Sequence, residues 1–414
     1  MTCAFAPLVV LCCLAAPPGA DDWPRFRGPN GDGTSPERAV PETWGPAENV
    51  AWKVELPGPG ASSPVVLGRR VFLTCFTGTS AAELVRHVLC FDRGRGELRW
   101  KRSYPAPLPE CDYTGQLRQH GFATSTPTTD GACLYVQFGR DGVRALDLDG
   151  NLLWHTQIGE YVSTFGSGAS PTLVGDRLIV NATVEAAALV ALDQRTGQRL
   201  WKTRINGDCW STPAVVDLPG GAREIVLNGS GWVYGFDPAD GRELWKVVSL
   251  GGHISSSPVI RDGIVYVSNG GTNGPLTMAI RPGGRSDVTK THVLWTVKAG
   301  ASHTSPILVG DRLCWFSGQA VAVNAKDGRL LAKERLDGLN NPYSSPVAAG
   351  GKIVLFTRSG AAYVLRATDL HVLARNDLQD DSGIVASPAV SAGQLFIRSN
   401  RYLYCLGRPG APRE

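Results

Sequence analysis

The chain has 414 residues, 43% of them hydrophobic, with 11 Trp and with 41 basic against 37 acidic residues for a formal net charge of +4. That content can bury a large core and excludes a disordered chain, while scattered charge of both signs leaves no footprint for nucleic acid or an anionic membrane surface. The 49 Gly and 28 Pro exceed average usage but show no Gly-X-Y period, which excludes collagen.

At the start, Ala4 to Ala16 form an apolar run followed by Pro17-Pro18-Gly19-Ala20 and then Asp21-Asp22. The run is too short to span a bilayer as a helix and has the length of a signal-peptide core, although no Lys or Arg precedes it. The expectation is a cleaved signal peptide over 1–20, a periplasmic or secreted protein, and an extended N-terminal segment over 21–48. Leu11 stands before Cys12, where a lipid anchor would want a small residue, and no later stretch reads as a membrane span. Asn30 and Asp32, set among glycines, read as a turn.

Seven cysteines lie beyond the leader, and an odd number cannot all pair internally. No C-x-x-C occurs, so zinc ribbons, thioredoxin chemistry and covalent haem have no support. Most of these cysteines sit in strand-like runs as small hydrophobes; Cys75 with Cys90 and Cys111 with Cys133 are the pairings considered.

From residue 63 onward a pattern repeats. Ser or Thr precedes Pro at Pro64, Pro127, Pro171, Pro213, Pro258, Pro306, Pro346 and Pro388, at intervals of 40 to 48 residues after a first interval of 63. A short strand follows each Pro, then a turn such as Val174-Gly175-Asp176-Arg177, and then a second strand. A third strand ends in a form like Ala191-Leu192-Asp193, and a turn leads to a fourth that opens on Leu-Trp. The fourth-strand Trp is Trp100, Trp154, Trp201, Trp245 and Trp295 in successive units, with Ala332 and Ala374 in its place afterwards. Four short strands per unit, with Pro only at a strand's start, is the pattern of a propeller blade. The last unit stops after three strands, and Val50 to Leu56 supplies a matching fourth with Trp52 in the Trp place. The fold expected is all-β: an eight-bladed propeller of four-stranded antiparallel blades over 49–408. The N-terminal strand completes the last blade and closes the ring, and a tail covers 409–414. The Trp residues are expected to dock against neighbouring blades.

The unit from Ala191 to Trp201, ALDQRTGQRLW, resembles the tryptophan-docking motif of the pyrroloquinoline quinone (PQQ) propeller repeat; Gly235 to Trp245 and Cys90 to Trp100 are weaker copies. The stretch Trp23-Pro24-Arg25-Phe26-Arg27-Gly28-Pro29 and the stretch Ala279 to Trp295 resemble those of exported bacterial PQQ-like propeller proteins. The resemblance spans residues 50 to 407 and extends to BamB-type outer-membrane assembly scaffolds. It also extends to the quinoprotein alcohol dehydrogenases, which hold PQQ with a calcium ion, an Asp base and a disulfide between adjacent cysteines. No adjacent Cys pair follows the leader here.

No G-x-S-x-G, H-E-x-x-H or G-x-x-x-x-G-K motif occurs, and the seven His have no metal spacing. The loops before the innermost strands open on one end of the channel and carry His120, Phe122, Phe165, Asp208, Trp210, His253, His303, Asn341, Tyr343 and Asp381. These form the expected funnel for a ligand or partner, weighed against a solvated rim. A Pro-rich insertion, Tyr104 to Phe122, lies at the same end. The sequence therefore points to an exported, non-catalytic scaffold or binding protein of the cell envelope. Its partner would be an envelope protein or peptide, or a small molecule or glycan in the funnel. The alternative is a PQQ- or metal-dependent oxidoreductase of the quinoprotein type. No catalytic residue, metal ligand set or cofactor is assigned; PQQ with calcium belongs to the alternative. Ligand identity and oligomeric state are left open.

Overall fold

The computed structural model describes residues 18–80, 82–271, 274–340 and 342–408. Residues 1–17 of the expected 1–20 signal peptide, the tail 409–414 and Asn341 of the funnel set lie outside the described residues. Eight sheets, each built on four antiparallel strands, follow one another in chain order as the blades of a propeller. Each inner strand begins one residue after a repeated Pro, at Val65, Thr128, Thr172, Ala214, Val259, Ile307, Val347 and Ala389. Pro has no N–H for a ladder, so it can stand before the strand but not within its pairing.

Alternation along the two middle strands sorts side chains between the neighbouring blades. In the third blade, Ile179, Leu189 and Ala191 pack with Ile225 and Leu227 of the fourth. Leu178, Val180 and Val190 pack with Tyr135 and Val143 of the second. These strands are buried on both faces, whereas the outer strand Arg199–Arg204 stands half in solvent. Ring closure follows the expectation. Val50–Glu55 pairs antiparallel with Tyr402–Leu406, setting Trp52 opposite Cys405 and Val54 opposite Leu403.

The Ser or Thr before each Pro has a role that only the assembled ring reveals. The Ser63 N–H donates to Thr126 Oγ1 (2.9 Å), Thr126 N–H to Ser170 Oγ (3.0 Å), and Ser170 N–H to Thr212 Oγ1 (3.1 Å). Thr212 donates to Ser257, Ser257 to Ser305, Ser305 to Ser345 and Ser345 to Ser387 at 2.9–3.0 Å. The Ser387 N–H returns to Ser63 Oγ at 3.1 Å, closing a circle of hydroxyls around the channel. Ser345→Ala should strand the buried Ser305 amide at a cost of about 1–3 kcal/mol. Urea unfolding reads the loss; an unchanged midpoint would remove the circle from the stabilising interactions.

Five Trp indoles tie a blade to the next by donating to a turn carbonyl. These bonds are Trp52 to Arg93 (2.8 Å), Trp100 to Leu148 (3.0 Å), Trp154 to Gln194 (3.2 Å), Trp201 to Pro238 (3.0 Å) and Trp295 to Ala325 (2.9 Å). A glycine in the receiving turn makes room: at Gly150, φ is +84° and a Cβ would lie 2.9 Å from the Trp100 ring. Trp245 differs. Its indole lies across Gly235 of its own blade and donates to the buried Glu224 Oε2 at 2.7 Å. The segment after Ile280 adds a parallel strand, Ser286–Asp287, to the edge of that blade, where the other Trp-bearing strands face a docking turn.

Residues 23–35 enter the channel. Trp23 exchanges backbone bonds with Val66 of the first blade (2.9 and 3.0 Å), and the Thr129 N–H of the second donates to Pro24 O. On the far side the Ala348 N–H donates to Gly33 O and Ser35 N–H to Ala348 O. The Arg27 guanidinium, 1% exposed, donates to the carbonyls of Asp32 (2.8 Å) and Pro306 (2.5 Å). Burial lowers it to about 10, so it stays charged at neutral pH. Asp32 accepts the Thr34 N–H at 2.9 Å and pairs with Arg261 at 3.0 Å, so its carboxylate is spent on the turn and on the fifth blade. The segment thus spans the channel and leaves the Phe26 side chain as the floor of the opposite opening. No disulfide forms among the described cysteines; burial pushes the Cys75 thiol up to about 11 and Cys90 to about 12. Among the described residues no helix is long and apolar enough to cross a membrane.

Candidate functional site

The open end of the channel is a funnel of about 320 Å³. Its loops are set by buried polar groups one blade back. Asn181 donates to the carbonyls of Cys209 (3.2 Å) and Ser211 (2.9 Å), which fixes the loop carrying Trp210. Asn228 donates to Ser256 O at 2.8 Å and holds the loop of His253. Asn181 and Asn228 are both buried. Arg86 donates to Phe122 O at 3.4 Å and pairs with Glu110, tying the insertion to the first blade.

Six of the ten expected funnel residues line it together: His120, Phe165, Trp210, His253, His303 and Tyr343. Phe165, Trp210 and His253 form one aromatic wall, with Phe165 to His253 at 4.3 Å and Trp210 to His253 at 5.6 Å between ring centroids. The Trp210 indole is anchored on Gly166 O at 2.7 Å. His303 and Tyr343 meet edge to face at 4.6 Å on a second wall, with the Arg358 guanidinium 4.9 Å from the Tyr343 ring. The insertion reaches over the mouth from the short helix Leu117–His120, and Gln116 Oε1 accepts the Tyr343 hydroxyl at 3.4 Å.

Three expected residues fall outside the lining. Phe122 packs into a cluster with Phe76 and Tyr113 (5.3 and 5.6 Å), because its loop turns the ring toward the gap between blades. Asp208 stands exposed on the rim beside His253, and Asp381 is exposed while its neighbour Asp380 turns inward to accept the Tyr404 hydroxyl at 2.8 Å. Conversely, Phe26 and Gln116 line the funnel without having been in the expected set, and the eight hydroxyls of the Ser/Thr ring form its lower wall. The hydroxyls were visible as a repeat; Phe26 gave no signal, because nothing local places an N-terminal segment inside a channel.

Among the described residues the lining contains no Lys, Arg, Asp or Glu. Burial holds His120 and His303 below the ordinary imidazole value, and Arg358 adds to the effect at His303, so both are neutral at pH 7. Among the described residues no group of three or more His, Cys, Asp or Glu is placed to hold a metal ion. PQQ is a tricarboxylate, and in the dehydrogenases its calcium needs several converging oxygen ligands. The described lining offers no acidic ligand for the ion, and the Arg358 guanidinium packs on the Tyr343 ring and is exposed outside the lining, so the residues do not fit that cofactor.

Beside the funnel lies a buried carboxyl. Glu185 is 2% exposed in the short helix Thr183–Ala186, and its carbonyl accepts the N–H groups of Glu160 and Tyr161 in the loop that carries Phe165. Burial, and to a lesser degree the charges of Glu110 and Asp208, raise its carboxyl to about 7. The folded protein therefore keeps a proton that the unfolded chain releases near the ordinary 4.5. That stabilisation is full below the unfolded value and is lost as pH rises through 7, by about 3 kcal/mol in all. Melting temperature measured from pH 5 to 8 should fall in the wild type and flatten in Glu185→Gln. Parallel curves for the two proteins would contradict the assignment.

The family model described as outer membrane protein assembly factor BamB matches residues 49–220 and 185–409. The outer membrane protein assembly factor BamB of Yersinia pestis is 21% identical over 348 residues, covering 70% of this chain and 83% of that protein. Among solved structures, BamB from Moraxella catarrhalis superposes with a TM-score of 0.59 at 16% identity, covering 88% of this chain and 99% of the other. A europium-containing methanol dehydrogenase superposes at 0.56 with 11% identity, covering 94% and 98%. At these identities the structural likenesses establish the propeller and carry no activity with them.

Proposed function

Because the chain belongs to the family of the outer membrane protein assembly factor BamB, we propose that it is a non-catalytic scaffold of the cell envelope that holds a protein partner of outer membrane protein assembly at its open end. The observation that carries this reading is the asymmetry of the channel. One end is occupied by the protein's own residues 23–35, and the other is left open beneath loops on a rigid ring. At that open end the loop held by Glu185 exposes Tyr161 (63%) and Val162 (40%), the type of half-apolar rim that protein contacts use. The uncharged funnel, which does not fit PQQ with calcium, weighs against the oxidoreductase alternative.

Cells lacking the protein should carry less outer membrane protein, and wild-type protein should restore it. The double variant Tyr161→Asp/Val162→Asp, expressed and folded to the same extent, should fail to restore it. Full complementation by that variant would remove the rim from the proposal. Oxidation of alcohols or sugars with an artificial electron acceptor, by purified protein incubated with PQQ and calcium, would overturn the scaffold reading altogether.

A further inference from the structure

We propose that the funnel is a binding pocket for an uncharged saccharide. A mono- or disaccharide unit would sit between the Phe165–Trp210–His253 wall and the His303–Tyr343 wall, on the circle of hydroxyls. The first observation is shape. The cavity of about 320 Å³ lies at the lower end of the range for small-ligand sites, roughly 300–1,000 Å³, and Phe26 gives it a floor. The first wall comes from the loops before blades three to five and the second from those before blades six and seven. Aromatic faces therefore line two arcs of one pocket, and Gln116 and His120 of the insertion close over it.

The second observation is the state of the hydroxyls. Each oxygen of the ring already accepts an N–H from the blade before it. A Ser or Thr hydroxyl still has one O–H to donate, and among the described residues none of the eight gives it to a protein acceptor. The lower wall is thus a ring of donors that asks for oxygen acceptors. A flat apolar ligand would cover the walls but leave those donors unpaired, which is costly once water is excluded. An anionic ligand would lose its hydration with no cation in the described lining to replace it, since Arg358 is exposed and engaged on the Tyr343 ring outside that lining. A sugar satisfies both demands, laying its C–H faces on aromatic rings and turning its oxygens to the hydroxyls.

The test uses the full chain, with cellobiose, maltose and N,N′-diacetylchitobiose as probes. The controls are p-cresol as an aromatic ligand and glucose 6-phosphate as a charged sugar. Tryptophan fluorescence and saturation-transfer NMR should show saturable binding of at least one of the three disaccharides and of neither control. Trp210→Ala and Phe165→Ala should each weaken it about tenfold or more. Tyr343→Leu on the other wall serves the same purpose should either variant misfold. Binding of p-cresol with no sugar bound, no binding of any of the three disaccharides, or full affinity in the folded variants overturns the proposal. The pocket and the scaffold reading fail separately, since one is read at Trp210 and Phe165 and the other at Tyr161 and Val162.

Discussion

Removing residues 45–57 should leave a chain that cannot hold its ring. Val50–Glu55 is the outer strand of the last blade, and its half-buried Val50, Trp52 and Val54 pack against the cluster that includes Phe396, Leu403 and Leu406. Lys53 sits 3.8 Å from the Tyr402 ring on the other face. Trp52 also reaches forward to Arg93 of the first blade, so one strand both completes blade eight and fastens it to blade one. Its loss exposes the backbone edge of Tyr402–Leu406 and removes the strand with which the N-terminal part of the chain completes the last blade. Trp→Ala alone at a buried site costs about 3–5 kcal/mol, a large part of a domain's total stability, and the deletion removes the ladder as well. The truncated protein should aggregate on size exclusion and lose its cooperative melt, and a peptide covering 45–57 should rescue it in trans. A truncated chain that melts with the full one would show that the ring closes without this strand.

The second large effect is expected at Trp245. This indole is fully buried, and its N–H is one partner of the buried Glu224 carboxylate, which also accepts the Gly283 N–H at 3.2 Å. Trp245→Ala removes the ring and takes one hydrogen-bond donor from a buried carboxylate, at a cost of about 3–5 kcal/mol or more. Trp245→Phe keeps much of the packing and loses only the donor, and the further change Glu224→Leu should recover part of that loss, because it removes a buried carboxylate left with only the Gly283 N–H and the exposed Arg285 guanidinium 3.9 Å away. Trp295→Ala is the comparison, since the Trp295 N–H serves a turn carbonyl with no charge at stake. Denaturant unfolding of the set should rank Trp245→Ala lowest. Equal losses at Trp245 and Trp295 would mean that Glu224 contributes nothing there.

The blade count, strand order and ring closure were legible in the repeat because each rests on local chemistry. Pro can only open a strand, turns need Gly or Asp, and a fourth strand begins with Leu-Trp in unit after unit. Trp245 shares the motif with Trp100 and Trp201, yet its indole docks elsewhere. What decides this is the segment from Arg281 to His292 running along the edge of its blade, a contact between stretches some forty residues apart. The funnel was legible only in part. Aligning loops on Pro named His120, Phe165, Trp210, His253, His303 and Tyr343, because propeller geometry brings equivalent loops to one end. The same alignment also named Phe122, Asp208 and Asp381, since sequence position sets which loop a residue is on but not which way the loop turns it.

By itself the sequence determined the architecture: eight units, their order, their inner strands and the partnership between the chain's two ends. Those properties follow from period-two alternation and turn chemistry, which act over a few residues. Tertiary structure alone decided that eight separate Ser and Thr side chains form one circle. It also decided that residues 23–35 occupy one end of the channel with Arg27 buried inside it, and that the other end is an uncharged pocket floored by Phe26. Each of these depends on groups that meet only after the ring has closed, and no local pattern encodes a distance across a channel.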